Sequence, residues 1–313
     1  MTARAILFLK NQGIFVALAA IFLYFSTFVK GFLSIENMLD IPSQIAFIVL
    51  IAIGMTFVII SAGIDLSVGA IVAVAAVTMA LLNEHKAFPV PLAAVIALCA
   101  GAALGAFNGF SIVRFNVPAF ISTLAMMTIA RGIARILAGN TKIFISSDIS
   151  LYTDLASTGR WGPVPIALIM FSSLLFFWFV ISKTRFGRYV YAVGGNEEAA
   201  KLSGINVARV RLLIYTISGF LSSTVGVLLA FKFKNGNPEY GLMWELDAIA
   251  AVVVGGTSLF GGRGSVFRTF IGALLIGVLD NGLLLMGKDQ NTIYIIKGFV
   301  ILAAVLLDQI KAR

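Results

Sequence analysis

The sequence has little of what soluble enzymes rely on. One cysteine, Cys99, and one histidine, His85, occur in 313 residues. A lone cysteine excludes a disulfide framework, and the pair excludes a metal centre built from His and Cys ligands. Charged residues make up 12% of the chain, where a soluble domain carries roughly 25%. No Gly-Lys-Ser or Gly-Lys-Thr triplet is present, so the chain writes no Walker A loop for ATP phosphates. The first apolar run ends Ser26-Thr27-Phe28-Val29-Lys30, without the small residues of a signal-peptide cleavage site, and reads as a retained first helix.

What the chain does have is apolar length. Hydrophobic residues reach 60% and the mean hydropathy is +1.01. About twenty apolar residues span a bilayer. That rule predicts an all-α, polytopic membrane protein with about ten transmembrane helices, near 13–30, 41–62, 65–82, 88–112, 118–138, 163–182, 212–231, 244–260, 265–286 and 291–308. The whole chain, 1–313, reads as a single transmembrane domain. Only Ala62-Gly63-Ile64 separates the second and third runs, so these can form one broken helix and a return. The net charge of +9 does not point to nucleic acid in so apolar a chain; it reflects the positive-inside bias. With a cytoplasmic N-terminus, thirteen basic residues fall in inner segments and seven in outer ones, while Arg131, Arg135 and Lys297 stay inside helices. The excess puts both termini in the cytoplasm. A weak repeat relates Gly101–Phe110 (GAALGAFNGF) to Gly272–Gly282 (GALLIGVLDNG). The two lie five helices apart, so the halves would be inverted, as in many transporters.

The one long polar segment is 183–211, which the same count places in the cytoplasm. It carries six basic residues and two acidic ones, Glu197 and Glu198. Its centre has the signals of a short helix. Asn196 can cap it. Glu197 and Glu198 suit the positive end of its dipole. Ala199, Ala200, Lys201 and Leu202 favour helix, and Gly204, after Ser203, can take the left-handed turn that ends one. On spacing alone, a solvated loop with a chance helical turn reads the same way. The segment GRYVYAVGGNEEAAKLSGINVARVRLLIY resembles the cytoplasmic coupling loop of bacterial ATP-binding-cassette importer permeases of the ribose type. Three further runs match in the family's order: GMTFVIISAGIDLSVGAI, NVPAFISTLAMMTIARG and ELDAIAAVVVGGTSLFGGRGSV.

The resemblance implies a permease subunit that moves a monosaccharide or related polyol across the bacterial inner membrane. It implies that Asn196–Gly204 docks on a separate ATPase, which uses the ATP, with no cofactor on this chain. It also implies a periplasmic or secreted sugar-binding protein and a second permease copy, a homodimer, with no role for nucleic acid. An ion-coupled secondary sugar transporter is the alternative, although the chain shows no row of ionisable groups for coupling. An intramembrane enzyme using Asp65 and Asp280 is weaker still, because neither sits in a Gly-x-Gly-Asp setting.

Polar groups inside apolar runs are expensive and mark paths or partners. Asp65 can cap a helix beginning at Leu66, line a substrate path, or do both. Asn108 and Asn281 break corresponding helices of the two halves and are expected, with Asp65, to face one central cavity. Phe107 can stack on a sugar's C–H face. Asp280 can pair with Arg131, Arg135 or Lys297. The glycine run Gly255–Gly264 reads as a helix end and tight turn at the inner face. The loop 139–162, with Asp148, Asp154, Arg160 and Trp161, and the turn Asn235–Gly241 face outward, where a binding protein would dock.

Overall fold

The computed structural model describes residues 3–84, 88–146, 149–156 and 164–312. Each of the ten apolar runs forms a helix. They are α1 (Ala3–Phe28), α2 (Ile35–Ile60), α3 (Val68–Asn83), α4 (Val90–Phe115), α5 (Ala119–Leu137), α7 (Val164–Lys183), α10 (Val207–Phe233), α11 (Trp244–Val254), α12 (Val266–Leu285) and α13 (Gln290–Ala312). Three shorter helices join them: α6 (Ser150–Ala156), α8 (Arg185–Gly195) and α9 (Glu197–Leu202). Two two-residue strands, β1 (Ile143–Phe144) and β2 (Asn235–Gly236), pair antiparallel with Ile143 opposite Gly236. Asp148, Arg160 and Trp161 lie outside the described residues.

The expectation of ten crossings needs correction. Among the described residues, six helices are long and apolar enough to cross a membrane: α2, α4, α5, α7, α10 and α12. The run expected to continue to residue 260 stops at Val254, because the Gly255-Gly256 pair ends α11, with Gly256 at φ +84°. Eleven residues rise about 16 Å, half of a ~30 Å hydrocarbon core. α3, at 16 residues, also falls short.

Helix α2 is the centre of the bundle. Every residue from Val49 to Ile60 is buried, as expected of a helix that is apolar all round. Helices α10, α12, α7 and α11 pack around it. A hydrogen bond between the Thr56 and Thr269 hydroxyls, 2.8 Å, ties it to α12. The most extensive helix pairing is α4 against α10. It is made by small residues: Gly101 faces Ser223, Gly105 faces Gly219, and Gly109 faces the Leu212 backbone. Lipid gives apolar helices no reason to prefer one another, so close backbone approach supplies the contact energy.

Gly219 has no room for a side chain. A Cβ there would meet the Gly101 carbonyl and, at 2.9 Å, the Gly105 Cα. Gly219→Leu should force α4 and α10 apart at a cost of about 1–3 kcal/mol. Thermal unfolding in detergent should show a lowered Tm, and an unchanged Tm would refute this account of the packing.

Candidate functional site

At one end of the bundle, α8 and α9 form a polar surface unit. The Thr184 hydroxyl accepts the Gly187 N–H at 3.2 Å and starts α8. This helix buries Val190, Val193 and Gly194 and exposes Arg185, Arg188 and Tyr189. Helix α9 is built as its residues suggest. Asn196 Oδ1 accepts the Ala199 N–H at 2.9 Å. Glu197 and Glu198 occupy the first turn, Ser203 follows the last, and Gly204 sits at φ +80°. Ala200 is buried, while Glu198, Ala199, Lys201, Ser203 and Gly204 are exposed and Leu202 is 90% exposed. Glu197 pairs with Lys201 at 2.7 Å and with Arg211 of α10. The Lys201 hydrogen bond, helped by the Arg211 charge, holds its carboxyl below the ordinary carboxylate range. A lowered carboxyl keeps its partners at neutral pH and loses them only as pH falls below that range.

The glycine turn packs under this unit. The Ser258 N–H donates to the Arg263 carbonyl at 3.0 Å, and the Gly261 N–H to the Ser258 carbonyl at 3.1 Å. Gly261 and Gly262 are at φ +83° and +70°, which glycine adopts without steric cost. The Gly262 N–H reaches the Ile60 carbonyl at 2.8 Å, and Tyr191 of α8 donates its hydroxyl to the Gly264 carbonyl at 2.9 Å. The turn reading of this run therefore holds in its local structure.

Beneath lies the break between α2 and α3. Asp65 is fully buried. Its Oδ1 accepts from the Ser67 N–H at 3.0 Å and hydroxyl at 2.6 Å, and its Oδ2 from the Ser218 hydroxyl at 2.8 Å. Asn108 Nδ2 donates to the Ser67 hydroxyl at 2.9 Å. The structure thus joins Asp65 and Asn108 through Ser67. It corrects one detail: α3 begins at Val68 with Ser67 as its cap residue, so Asp65 braces the turn into the helix and does not cap a helix starting at Leu66. A cavity of about 220 Å³ opens beside the break, lined by Ser61, Gly63, Asn116, Arg211 and Tyr215 among others. Phe107 turns away from this cluster and is 56% exposed, next to a fully buried Asn108.

Asn281 belongs to a different network. It donates to Asn37 Oδ1 at 2.8 Å and to Gln44 Oε1 at 3.2 Å, and accepts from Asn37 Nδ2 at 3.0 Å. Asp65, Asn108 and Asn281 therefore do not meet at one cavity. They divide between two networks because their helices pack against different neighbours: α4 against α10 and α3, α12 against α2 and α11. Beside Asn281, Lys297 donates to Asp247 at 2.8 Å and to Asp280 at 3.2 Å. Lys297 is thus the partner of Asp280 among the three candidates. Arg131 binds the Pro238 and Tyr240 carbonyls, and Arg135 pairs with Glu239 at 2.8 Å.

Residue-by-residue reading missed helix α8, the Glu197–Arg211 pair and the polar partners Ser67, Ser218, Asn37, Gln44 and Asp247. Ser218 and Ser222, one turn apart in an apolar run, were a usable signal.

Asp65 accepts three hydrogen bonds from buried donors. Asp65→Asn keeps an acceptor and should be milder than Asp65→Leu, which strands them at about 1–3 kcal/mol per group. Detergent melting of the two variants checks this; equal Tm values would refute it.

The comparisons with known proteins identify the family. The family model described as "branched-chain amino acid transport system / permease component" matches residues 37–305. The ribose import permease protein of Haemophilus influenzae is 41% identical over 306 residues, covering 96% of this chain and 94% of that one. A probable ABC transporter permease protein of Escherichia coli K12 is 41% identical, covering 96% and 90%. The fructose import permease protein of Rhizobium meliloti is 38% identical, covering 89% and 79%. This chain therefore belongs to the branched-chain amino acid transport system / permease component family.

Proposed function

We propose that this chain is the membrane-spanning subunit of an ATP-binding-cassette importer that carries a simple sugar across the bacterial inner membrane. The observation that carries the reading is α9. It is a two-turn helix, capped by Asn196 and ended by Gly204, which presents Leu202 to solvent on an end of the bundle rich in basic residues. So short a helix is marginal alone. Here the buried Ala200 and the Glu197–Arg211 pair anchor it. A rigid, exposed helix with an apolar tip is what a groove on a separate subunit can grip. Relatives named as ribose and fructose import permeases supply the substrate class, and they favour this reading over an ion-coupled carrier.

In this account ATP is bound and hydrolysed on a separate ATPase docked on 183–211, and this chain binds no cofactor. Residues Asn196, Glu197, Glu198, Ala199, Ala200, Leu202, Ser203 and Gly204 form the coupling element. A sugar-binding protein meets the opposite end, near β1, β2 and the Arg135–Glu239 pair. Two copies of the chain pair, and the sugar passes between groups that bind it only weakly, because the binding protein supplies affinity. Phe107, exposed on the single chain, offers a ring to that path. Asp65 and Asn108 shape its α9 end, and Asn281 belongs to the other. The two halves are inverted relative to each other, and both termini lie in the cytoplasm.

Orientation is checked by single cysteines at two exposed positions, Ser203 and Thr141, in a Cys99→Ser background. In whole cells an impermeant thiol reagent should label position 141 and spare 203; the reverse pattern would overturn the orientation.

Docking is checked at Gly204. Valine at φ +80° costs about 1 kcal/mol or more, and should displace the end of α9. Gly204→Val should insert normally, yet lose most sugar uptake and co-purify less ATPase. Full uptake with full ATPase binding counts against the coupling role.

A further inference from the structure

We propose that the cavity between α2, α11 and α12 is a hydroxyl-binding station for the transported sugar, with Asp280 as an acceptor. The inference rests on the importer reading above and assigns it a second polar station, at the end of the bundle opposite α9. The cavity measures about 160 Å³, room for about five waters at ~30 Å³ each. Gln44, Asp247 and Asp280 supply its polar wall, and Ile45, Ile48 and Ile276 its apolar one. A mixed wall of this kind suits a small ligand with hydroxyls on one face and C–H groups on another.

Three features point to a neutral hydroxyl donor. First, Asp280 Oδ2 accepts from Lys297 while its Oδ1 has no hydrogen-bond partner, and the side chain as a whole is 38% exposed. Native structures leave few such acceptors, and each asks for a donor. Second, the Lys297 ammonium already lies between the two carboxylates. A metal ion would have to displace it, whereas a hydroxyl displaces nothing. Third, the polar array continues. Asn37 and Asn281 are hydrogen-bonded to each other, and Asn281 to Gln44 on the cavity wall. Gln44 is exposed on the single chain, although it lies about 14 Å along α2 from Ile35. Polar groups at membrane depth are not left against lipid. That face therefore meets water or protein, as a translocation path requires.

The test uses the full importer in cells, with D-ribose as the probe and a Cys99→Ser background. Ile48→Cys puts a smaller side chain carrying a thiol on the cavity wall. A small polar methanethiosulfonate reagent should label it at least tenfold faster than the exposed apolar position Leu168→Cys on α7, and labelling should cut ribose uptake at least fivefold. Excess ribose during turnover should slow the labelling. Labelling no faster than at position 168, labelling without loss of uptake, or no protection by ribose each overturns the proposal. Asp280→Asn keeps an acceptor and should retain at least a third of wild-type uptake, while Asp280→Leu should fall at least tenfold with its ATPase still bound. Equal uptake by the two overturns the assignment of Asp280. Should Asp280→Leu fail to assemble, the Ile48→Cys labelling still decides. Failure of the importer reading looks different: the wild-type chain would hold no ATPase and take up no sugar, and the station would fall with it.

Discussion

The hydrogen bond from the Gly262 N–H to the Ile60 carbonyl, 2.8 Å, is the contact on which the α9 end of the molecule depends. Ile60 is the last residue of the buried central helix, where backbone carbonyls lose their helical partners. In an apolar bundle such groups must be satisfied by protein. The glycine turn satisfies this one from outside α2, and it can come so close because Gly194, Gly261 and Gly262 have no side chains in the way. One contact thereby sets the positions of three pieces: the end of α2, the end of α8 and the loop between α11 and α12. Asp65, five residues on, completes the junction by gathering Ser67 and Ser218.

That junction links the surface helix α9 to the interior of the bundle. α9 is attached to the bundle by Ala200 and by the Glu197–Arg211 pair. Arg211 also lines the cavity at the α2–α3 break, together with Tyr215, which is 1% exposed. A partly exposed ion pair adds little to stability, so its value here is geometric. It ties the first turns of α10 to α9. Helix α10 in turn touches α2, α3 and α4, so a displacement at α9 reaches the central packing without crossing a flexible loop.

Much of this was legible in the chain. The apolar runs placed ten of the helices, because burial in lipid or protein demands long apolar stretches whatever their partners. The ends of helix α9 were legible, because Asn196, Glu197, Glu198 and Gly204 act on their own backbone within a few positions. What was not legible depends on partners distant in sequence. Asn281 pairs with Asn37 across 244 residues, and no local rule separates that from a cavity-facing Asn281. The weak sequence repeat aligns Asn108 with Asn281, and that symmetry suggested one cavity. The helices on which they sit meet different neighbours, so the two side chains entered different networks. Helix α8 was missed for the opposite reason: its Thr184 cap and its alternation of Arg185 and Arg188 with Val190 and Val193 were local, but they lay inside a segment read as polar loop.

The two networks differ in a way that bears on transport. Around Asp65 every carboxylate oxygen has a donor, and the aspartate is fully buried. The cluster keeps one unpartnered acceptor, the buried Asn108 Oδ1, but its carboxylate is fully paired and acts as structure. Around Lys297 the balance is incomplete: two carboxylates share one ammonium, one oxygen has no donor, and a cavity adjoins them. An importer whose binding protein supplies affinity must not hold its sugar tightly in the membrane, since any well deeper than the barrier to release slows turnover. A single unpaired acceptor beside apolar side chains gives a shallow well. The chemistry of passage therefore falls to the network whose incompletely paired carboxylate borders a cavity, and the stability of the α9 end to the one in which every carboxylate oxygen is paired.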